Sequence, residues 1–328
     1  LAPSPKNLYR GNMRLIFMGY HNIGHICLEG LIELCRELGD EIVAVVTHAD
    51  NPQENIWFAS VRELAFRNFL PVYQPENPND PAFVEVLRRL EPDFLFSCYY
   101  RYMLKKPLLD LPRLGALNLH GSLLPRYRGR VPINWVLVHG ETETGVTLHY
   151  MEEKADRGDM VGQKRVPIVE EDTAYTLFGK MTAAAGELIR DTYPLLRSGM
   201  APRVPQDQSQ ASYFGGRRPE DGQIDWRQPA LKIYNLVRAV THPYPGAFTY
   251  LNGKKLFIWW GRPLAAPAAA PPGRIVGVLL GEGLLVATGD GQLLLTQAQW
   301  EGEVEFLGPV LATWEHLVGQ HLENPTNL

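Results

Sequence analysis

The sequence predicts an α/β protein: a doubly wound, mostly parallel sheet with helices on both faces, followed by a small antiparallel β-barrel. Three observations predict it. Short apolar, β-branched runs alternate with helical stretches as far as His120, the pattern of buried parallel strands joined by right-handed crossovers. A proline-bearing polar stretch interrupts the chain just after residue 200. Beyond it, short β runs recur between glycines and prolines, as they do in small barrels.

Each element has its own signal. The first strand reads Arg14-Leu-Ile-Phe-Met18 and ends in Gly19-Tyr-His-Asn-Ile-Gly24, from which a helix runs through Glu37. Glu41-Ile-Val-Ala-Val-Val-Thr47 is short, apolar and β-branched, a buried strand. A helix near 60–68, a short strand at 71–73 and a helix near 81–90 follow. Strand 93–97, a helical turn at 105–109 and strand 115–120 complete this Rossmann-like alternation, with one more strand at 145–149. Pro202, Pro205 and the polar run 206–210 read as a linker. The division expected is a first domain over 13–203 and a second over 204–328, with 1–12 a disordered leader or cloning remnant before Met13. In the second domain a helix at 230–240 precedes β runs at 247–251, 255–259, 273–278, 283–287 and 292–296. A low-complexity loop spans 265–272.

Composition narrows the function classes. Of 328 residues, 45% are hydrophobic and 21% charged, the balance of a globular chain with a real core. The formal net charge of −4 argues against a large nucleic-acid partner, which needs a broad positive field. A phosphorylated small molecule needs only a few local cations. Cys27, Cys35 and Cys98 have neither disulfide nor zinc spacing, as expected of a reduced, cytoplasmic protein. No apolar run reaches the roughly 18 residues of a membrane span. Residues 1–12 lack the apolar centre of a signal peptide.

The first strand–helix turn keeps Gly19 and Gly24, but His21 stands where a dinucleotide fingerprint needs its middle glycine. NAD is therefore not expected. The dense region runs from Gly115 to Arg130. Asn118 and His120 stand two apart near a strand end, so they share a face, where open α/β sheets bind ligands. An amide can hydrogen-bond a developing oxyanion, and an imidazole can shuttle the proton of an attacking amine. The same pair also describes an amide capping a turn beside a core histidine. Asp156 lies in a turn closed by Gly158. A carboxylate near a histidine raises its pKa and selects its tautomer, although a plain Asx-turn reads the same way. There is no G-x-S-x-G elbow, no HExxH and no Cys/His cluster, so neither a hydrolase triad nor a catalytic metal is expected.

Taken together, Asn118-Leu-His120-Gly-Ser-Leu-Leu-Pro125, Tyr127-Arg-Gly129 and Asp156-Arg-Gly158 resemble the folate-dependent formyltransferase family. Further stretches, among them 47–52, 96–101, 140–149 and 238–248, are similar to the formyltransferase half of the bifunctional polymyxin-resistance proteins, from about Met13 to Gly308. The resemblance implies formyl transfer from N10-formyltetrahydrofolate to the 4-amino group of a nucleotide-linked sugar. UDP-4-amino-4-deoxy-L-arabinose, a precursor in lipid A modification, is the acceptor it implies first. It also implies Asn118, His120 and Asp156 as the catalytic set and an OB-like second domain. The folate pocket would take Arg130, Glu152, Glu153, Lys154, Ala155 and Asp156, with Phe96, Tyr99 and Tyr100 along the pterin. The Glu152-Glu153-Lys154 run is less basic than the family's usual segment, so contact there would run through backbone. The dehydrogenase half of those proteins is not in this sequence, and a stand-alone enzyme is expected.

For the sugar nucleotide, guanidinium forks suit a diphosphate and an aromatic ring stacks on uracil. Arg128, Arg217, Arg218, Tyr20, Trp57 and Tyr244 are the candidates. A solvated linker for Arg217-Arg218 and a core position for Trp57 are the plainer readings. A homo-oligomer is compatible with all of this. Three rivals fit less well. Formylation of methionyl-tRNA needs a basic surface that a charge of −4 does not offer. An NAD-linked sugar dehydrogenase needs the missing fingerprint. A folate-binding protein without catalysis has no use for the complete Asn118, His120 and Asp156 set.

Overall fold

The computed structural model describes residues 11–51, 53, 56–267 and 270–325. The expected leader lies outside the described residues apart from Gly11 and Asn12. The chain forms two compact units. The first comprises the chain up to Pro132, Glu143–Pro167 and Gly179–Phe214; the second comprises Ile133–Thr142, Ile168–Phe178 and the chain from Gly215.

In chain order the first elements are β1 (Arg14–Gly19), α1 (His21–Leu38), β2 (Glu41–Val46), α2 (Val61–Arg67), β3 (Val72–Tyr73), α3 (Pro81–Arg88), β4 (Phe94–Cys98), α4 (Lys106–Leu109) and β5 (Gly115–His120). Then come β6 (Arg128–Gly129), α5 (Pro132–Val138), β7 (Glu143–Tyr150), β8 (Met160–Pro167), α6 (Ala174–Ser198) and β9 (Tyr213–Phe214). Seven of the strands form one sheet in the order β3-β2-β1-β4-β5-β7-β8. The first five run parallel; β7 is antiparallel to β5, and β8 to β7. The mostly parallel sheet is the one the sequence predicts.

Burial explains the apolar runs. Ile42 to Val46 are all buried, because a strand covered on both faces has no polar side to show. Ile16, Met18, Val43 and Leu95 pack with Val84 and Leu87 of α3. Phe96, on alternate positions of β4, points the other way, to Tyr193 of α6 at 6.0 Å between ring centroids. The strand order reverses at β1, which lies between β2 and β4. The crevice at the carboxyl ends of these strands is where such sheets bind ligands.

Strand β8 and helix α6 carry no clear signal in the sequence. Strand β8 alternates buried and polar residues around Lys164 and Arg165, and α6 is rich in small residues (Ala183-Ala-Ala-Gly186). The stretch expected as linker, Pro202, Pro205 and the polar run 206–210, belongs to the first unit, which extends to Phe214. Val204 bridges to Met160, and β9 pairs in parallel with β6. The chain enters the second unit at Gly215 instead of near residue 204, because backbone hydrogen bonds hold the intervening segment to the first.

The second unit contains α7 (Ala230–Val240), β10 (Ala247–Leu251), β11 (Lys254–Leu264), β12 (Ile275–Leu279), β13 (Gly283–Ala287), β14 (Gln292–Trp300), β15 (Glu305–Leu307) and α8 (Gly308–Leu311). Its strands form an antiparallel sheet in the order β10-β11-β14-β13-β12, with β15 on β14. The ends of that order are β10 and β12, so the ladder stays open, as in a partly open OB-type barrel. Trp226, Ile258, Val286 and Leu293 are buried in its core. The low-complexity loop at 265–272 falls partly outside the described residues.

Candidate active site

Strand β5 delivers Asn118 and His120 on one face near its carboxyl end, as a period of two requires. Strand β7 runs beside it with His149 opposite Asn118. The loop after β7 closes through the Tyr150 N–H to the Asp159 carbonyl at 2.9 Å and carries Asp156. Asp156 has φ +57°, a left-handed conformation that Asp tolerates better than most residues. Gly158 lets the loop touch the Tyr150 carbonyl, where any Cβ would collide. These elements all belong to the first unit.

The contacts assign the protons. His120 Nε2 lies 2.8 Å from the Tyr127 carbonyl oxygen, which can only accept, so Nε2 carries hydrogen and donates. His120 Nδ1 therefore faces Asp156 Oδ1, 3.5 Å away. His149 Nδ1 lies 2.7 Å from the Tyr150 carbonyl, so it too donates. That leaves His149 Nε2 as the acceptor for Asn118 Nδ2 at 3.3 Å. Asp156 Oδ1 is also 3.7 Å from His149 Nε2, and Asp156 Oδ2 accepts from the Gly129 N–H at 2.9 Å.

Electrostatics follow from this packing. Burial alone would raise the Asp156 pKa, but the attraction of His120 once it is protonated at low pH, the neighbouring His149 and the Gly129 N–H outweigh it and hold the carboxyl at about 2. Asp156 is a carboxylate at neutral pH. Burial lowers the His120 pKa, and the pull of Asp156 in the other direction does not offset it. The expectation that Asp156 lifts the histidine is right in sign for that one interaction, but desolvation is larger. In the resting protein His120 is neutral, with Nδ1 free to take a proton beside a carboxylate. Such a pair can act as a base toward an amine.

The loop between β5 and β6 is fixed from below. Thr147 Oγ1 donates to the Ser122 carbonyl at 2.7 Å and accepts from the Leu124 N–H at 3.1 Å. Gln163 Nε2 donates to the Leu124 carbonyl at 2.8 Å. Ser122 Oγ donates to the Arg126 carbonyl at 2.7 Å. These bonds place the Tyr127 carbonyl that selects the His120 tautomer.

The other expected site residues divide. Tyr99 and Tyr100 are half-buried at the end of β4, and Tyr99 has φ +60°. Phe96 is only 1% exposed and faces Tyr193, so it packs in the core. Arg130 is exposed, and its N–H donates to the Phe214 carbonyl at 2.9 Å. Glu152, Glu153 and Lys154 are exposed and Ala155 is half-buried. Tyr20 is buried; its hydroxyl donates to Asp50 Oδ1 at 3.0 Å, and the Arg101 guanidinium lies 4.6 Å from its ring centroid. Trp57 is half-buried, edge-on to His21. Arg128 is 3% exposed. Its guanidinium donates to Gln206 Oε1 at 3.1 and 2.7 Å and to Gln208 Oε1 at 3.0 Å. A cation so enclosed holds the protein together and has no surface to offer a diphosphate.

Arg217, Arg218 and Tyr244 belong to the second unit. The Arg217 guanidinium lies 4.7 Å from the Trp135 ring centroid, and its Nη2 donates to the Asp221 carbonyl at 2.7 Å. It lines a small cavity with Lys232, Asp221 and Asp225. The Arg218 N–H donates to Asp221 Oδ2 at 2.6 Å. Burial pushes the Tyr244 phenol up to about 12. Two residues of the site escaped the sequence reading, His149 and Gln206. The signal for His149 was its place two residues beyond Thr147, on one face of β7. Gln206 had no local signal.

Among the described residues, no group of three or more His, Cys, Asp or Glu side chains is arranged to hold a metal ion. No described helix is long and apolar enough to cross a membrane.

Residues 13–192 match the family described as formyl transferase, and residues 217–307 match the formyl transferase C-terminal domain. Among solved structures, the N-formyltransferase from Helicobacter canadensis, solved with folinic acid and dTDP-3-aminofucose, is 20% identical with a TM-score of 0.69, covering 86% of this chain and 98% of that one. WlaRD, described as a sugar 3N-formyl transferase, is 18% identical with a TM-score of 0.66, covering 90% and 100%. HypX from Aquifex aeolicus, solved with tetrahydrofolic acid, is 18% identical with a TM-score of 0.60; the match covers 97% of this chain and 50% of HypX. At these identities the solved structures show a shared fold. The family match spans more than half of the sequence and includes Asn118, His120 and Asp156, and on that ground this chain belongs to the formyl transferase family and is a formyl-transferring enzyme.

Proposed function

We propose that this enzyme moves a formyl group from N10-formyltetrahydrofolate to the 4-amino group of a nucleotide-linked sugar, with UDP-4-amino-4-deoxy-L-arabinose as the first candidate acceptor. The observation that carries the proposal is the meeting of His120 Nδ1 with Asp156 Oδ1 at 3.5 Å, next to Asn118 on the same strand face.

The residues around the β4 end fit a reduced folate. Tyr99 and Tyr100 present half-buried rings. Tyr100 Oη is buried with no hydrogen-bond partner among the described residues, a state that costs free energy until a ligand supplies one. Tyr99, Tyr100 and the backbone of 152–156 would hold the folate, with Arg130 at the rim. The folate supplies an activated formyl group. The chain does the rest. Asn118 donates an amide hydrogen to the oxygen that gains charge as the amine adds, worth about 3 kcal/mol in comparable sites. His120 Nδ1 takes the amine proton and returns it to the departing nitrogen, while Asp156 stabilises the imidazolium in between.

For the acceptor, Tyr20, His48, Trp57, Phe58 and Arg101 gather near the carboxyl ends of β1, β2 and β4. Aromatic faces with a guanidinium beside them suit a base and its phosphates. The Helicobacter canadensis enzyme was solved with dTDP-3-aminofucose and WlaRD in the presence of dTDP, so the nucleotide needs a direct test. We would assay formyl transfer over UDP-, dTDP- and GDP-linked amino sugars, with aminoacylated initiator tRNA as a further acceptor. Turnover with UDP-4-amino sugars is expected. Turnover confined to dTDP sugars, or to tRNA, overturns the acceptor and leaves the chemistry standing.

A further inference from the structure

The polar run at 206–210 reads as a linker, yet Gln206 is buried, 6% exposed, and makes four side-chain hydrogen bonds. Its Oε1 accepts from Arg128 Nε at 3.1 Å and Nη2 at 2.7 Å. Its Nε2 donates to the Asp156 carbonyl at 2.9 Å and the Gly158 carbonyl at 2.8 Å. The partners settle which end is which: a guanidinium can only donate, and a carbonyl can only accept. No other uncharged side chain of this length presents an acceptor on one branch and two donors on the other.

The two ends join elements that matter separately. Arg128 begins β6, and the next N–H, that of Gly129, donates to Asp156 Oδ2 at 2.9 Å. The Asp156 and Gly158 carbonyls belong to the turn that carries the carboxylate. Asp156 is thus held twice, through its side chain by Gly129 and through its backbone by Gln206. The Asp156 backbone sits at φ +57°, which costs energy unless its surroundings impose it. Within the turn, donors for these two carbonyls have to come from outside, and Gln206 brings them.

We infer that Gln206 is a positioning residue for formyl transfer: it ties the Asp156 turn to β6 and so sets the carboxylate against His120. The inference rests on the catalytic reading of Asp156 and His120 given above. It also gives the 204–214 segment a purpose, since the bridge at Val204 and the β6–β9 pair bring Gln206 to the site.

The decisive variant is Gln206→Glu in the full chain. A glutamate keeps an acceptor for the buried Arg128, so the variant is expected to fold, but it cannot donate to the two carbonyls. The expected result is a fall in kcat on the order of 10–100-fold, as small misplacements of catalytic groups produce, with KM for both substrates within about twofold of wild type by the same reasoning. The pH dependence of kcat is read in Gln206→Met, which adds no charge, and should move to lower pH, because a carboxylate held less closely to His120 raises its pKa less. Gln208→Met is the comparison: it removes one Arg128 acceptor and the donor to the Gln206 carbonyl but neither donor to the Asp156 and Gly158 carbonyls, and should keep wild-type kcat and pH profile. If Gln206→Glu does not fold, 13C chemical shifts of His120 in Gln206→Met and wild type report the same shift in titration. Wild-type kcat and pH profile in a folded Gln206 variant overturn the inference, and so does an equal loss in Gln208→Met. Asp156→Asn, assayed alongside, separates the failures. Activity retained there removes the catalytic reading itself, whereas an inactive Asp156→Asn beside a fully active Gln206→Glu removes only the positioning role.

Discussion

Asn118 and His149 face each other across the β5–β7 ladder, and the Asn118 amide donates to His149 Nε2 at 3.3 Å. The histidine can accept because its other nitrogen is committed to the Tyr150 carbonyl. One amide hydrogen is thereby spent on orientation, and the second remains for the reacting oxygen of the proposed mechanism. His149→Phe removes the acceptor and lets the amide rotate. We expect kcat to fall about tenfold, less than the 100- to 1,000-fold loss expected of Asn118→Ala when the donor itself is gone. Steady-state kinetics of both variants check the order; a His149→Phe enzyme as impaired as Asn118→Ala would mean the histidine reacts directly.

Asp156→Asn keeps the size and the Gly129 contact but removes the charge beside His120. Turnover should fall by a factor on the order of 10³, since an imidazolium formed in a buried site is left without its counter-charge. Far-UV circular dichroism should be unchanged. Near wild-type rates would show that the carboxylate is not part of the chemistry.

Gly129 has φ +99°, and a Cβ there would collide with the Phe214 carbonyl and crowd the Tyr213 ring. Gly129→Ala must therefore separate β6 from β9 and displace the N–H that holds Asp156. A stability loss on the order of 2–4 kcal/mol should appear in urea unfolding, together with loss of turnover. A variant as stable as wild type would show that the pairing is dispensable.

His21 is held at a pKa of about 4, by burial first and the Arg101 charge second. Unfolded, it titrates near 6.5. Between these values the unfolded chain binds a proton that the folded one refuses, so stability falls as pH drops through this window. From pH 7 to 5 the cost is about 2 kcal/mol. His21→Asn, which tolerates the native φ of +66°, should lose less stability than wild type over that interval when both are unfolded in urea. Equal losses would sink the assignment.

Much of the architecture was legible because it is local. A buried parallel strand must be apolar on both sides, so Ile42 to Val46 announced itself. Helix α7 and the strands of the second unit carried their own periodicity and turn residues. Strand β8 and α6 did not, since polar Lys164 and Arg165 alternate through the one and small residues fill the other. The resemblance put Phe96 along the pterin, and only its contact with Tyr193 shows which side of the sheet it faces. Arg128 read as a cation for the diphosphate, and Gln206 as part of a linker; the two are buried against each other through their hydrogen bonds.

By itself the sequence determined the mostly parallel sheet, the β-rich second unit, the formyl-transfer motif and the shared face of Asn118 and His120. The last follows from the twofold period of a strand and needs no partner. Tertiary structure alone decided that Asp156 meets His120, that His149 orients Asn118 and that Gln206 reaches back to the Asp156 turn. The reason is physical. Those relationships join segments far apart in the chain, and their geometry depends on strand order, register and burial, which no short stretch of residues contains.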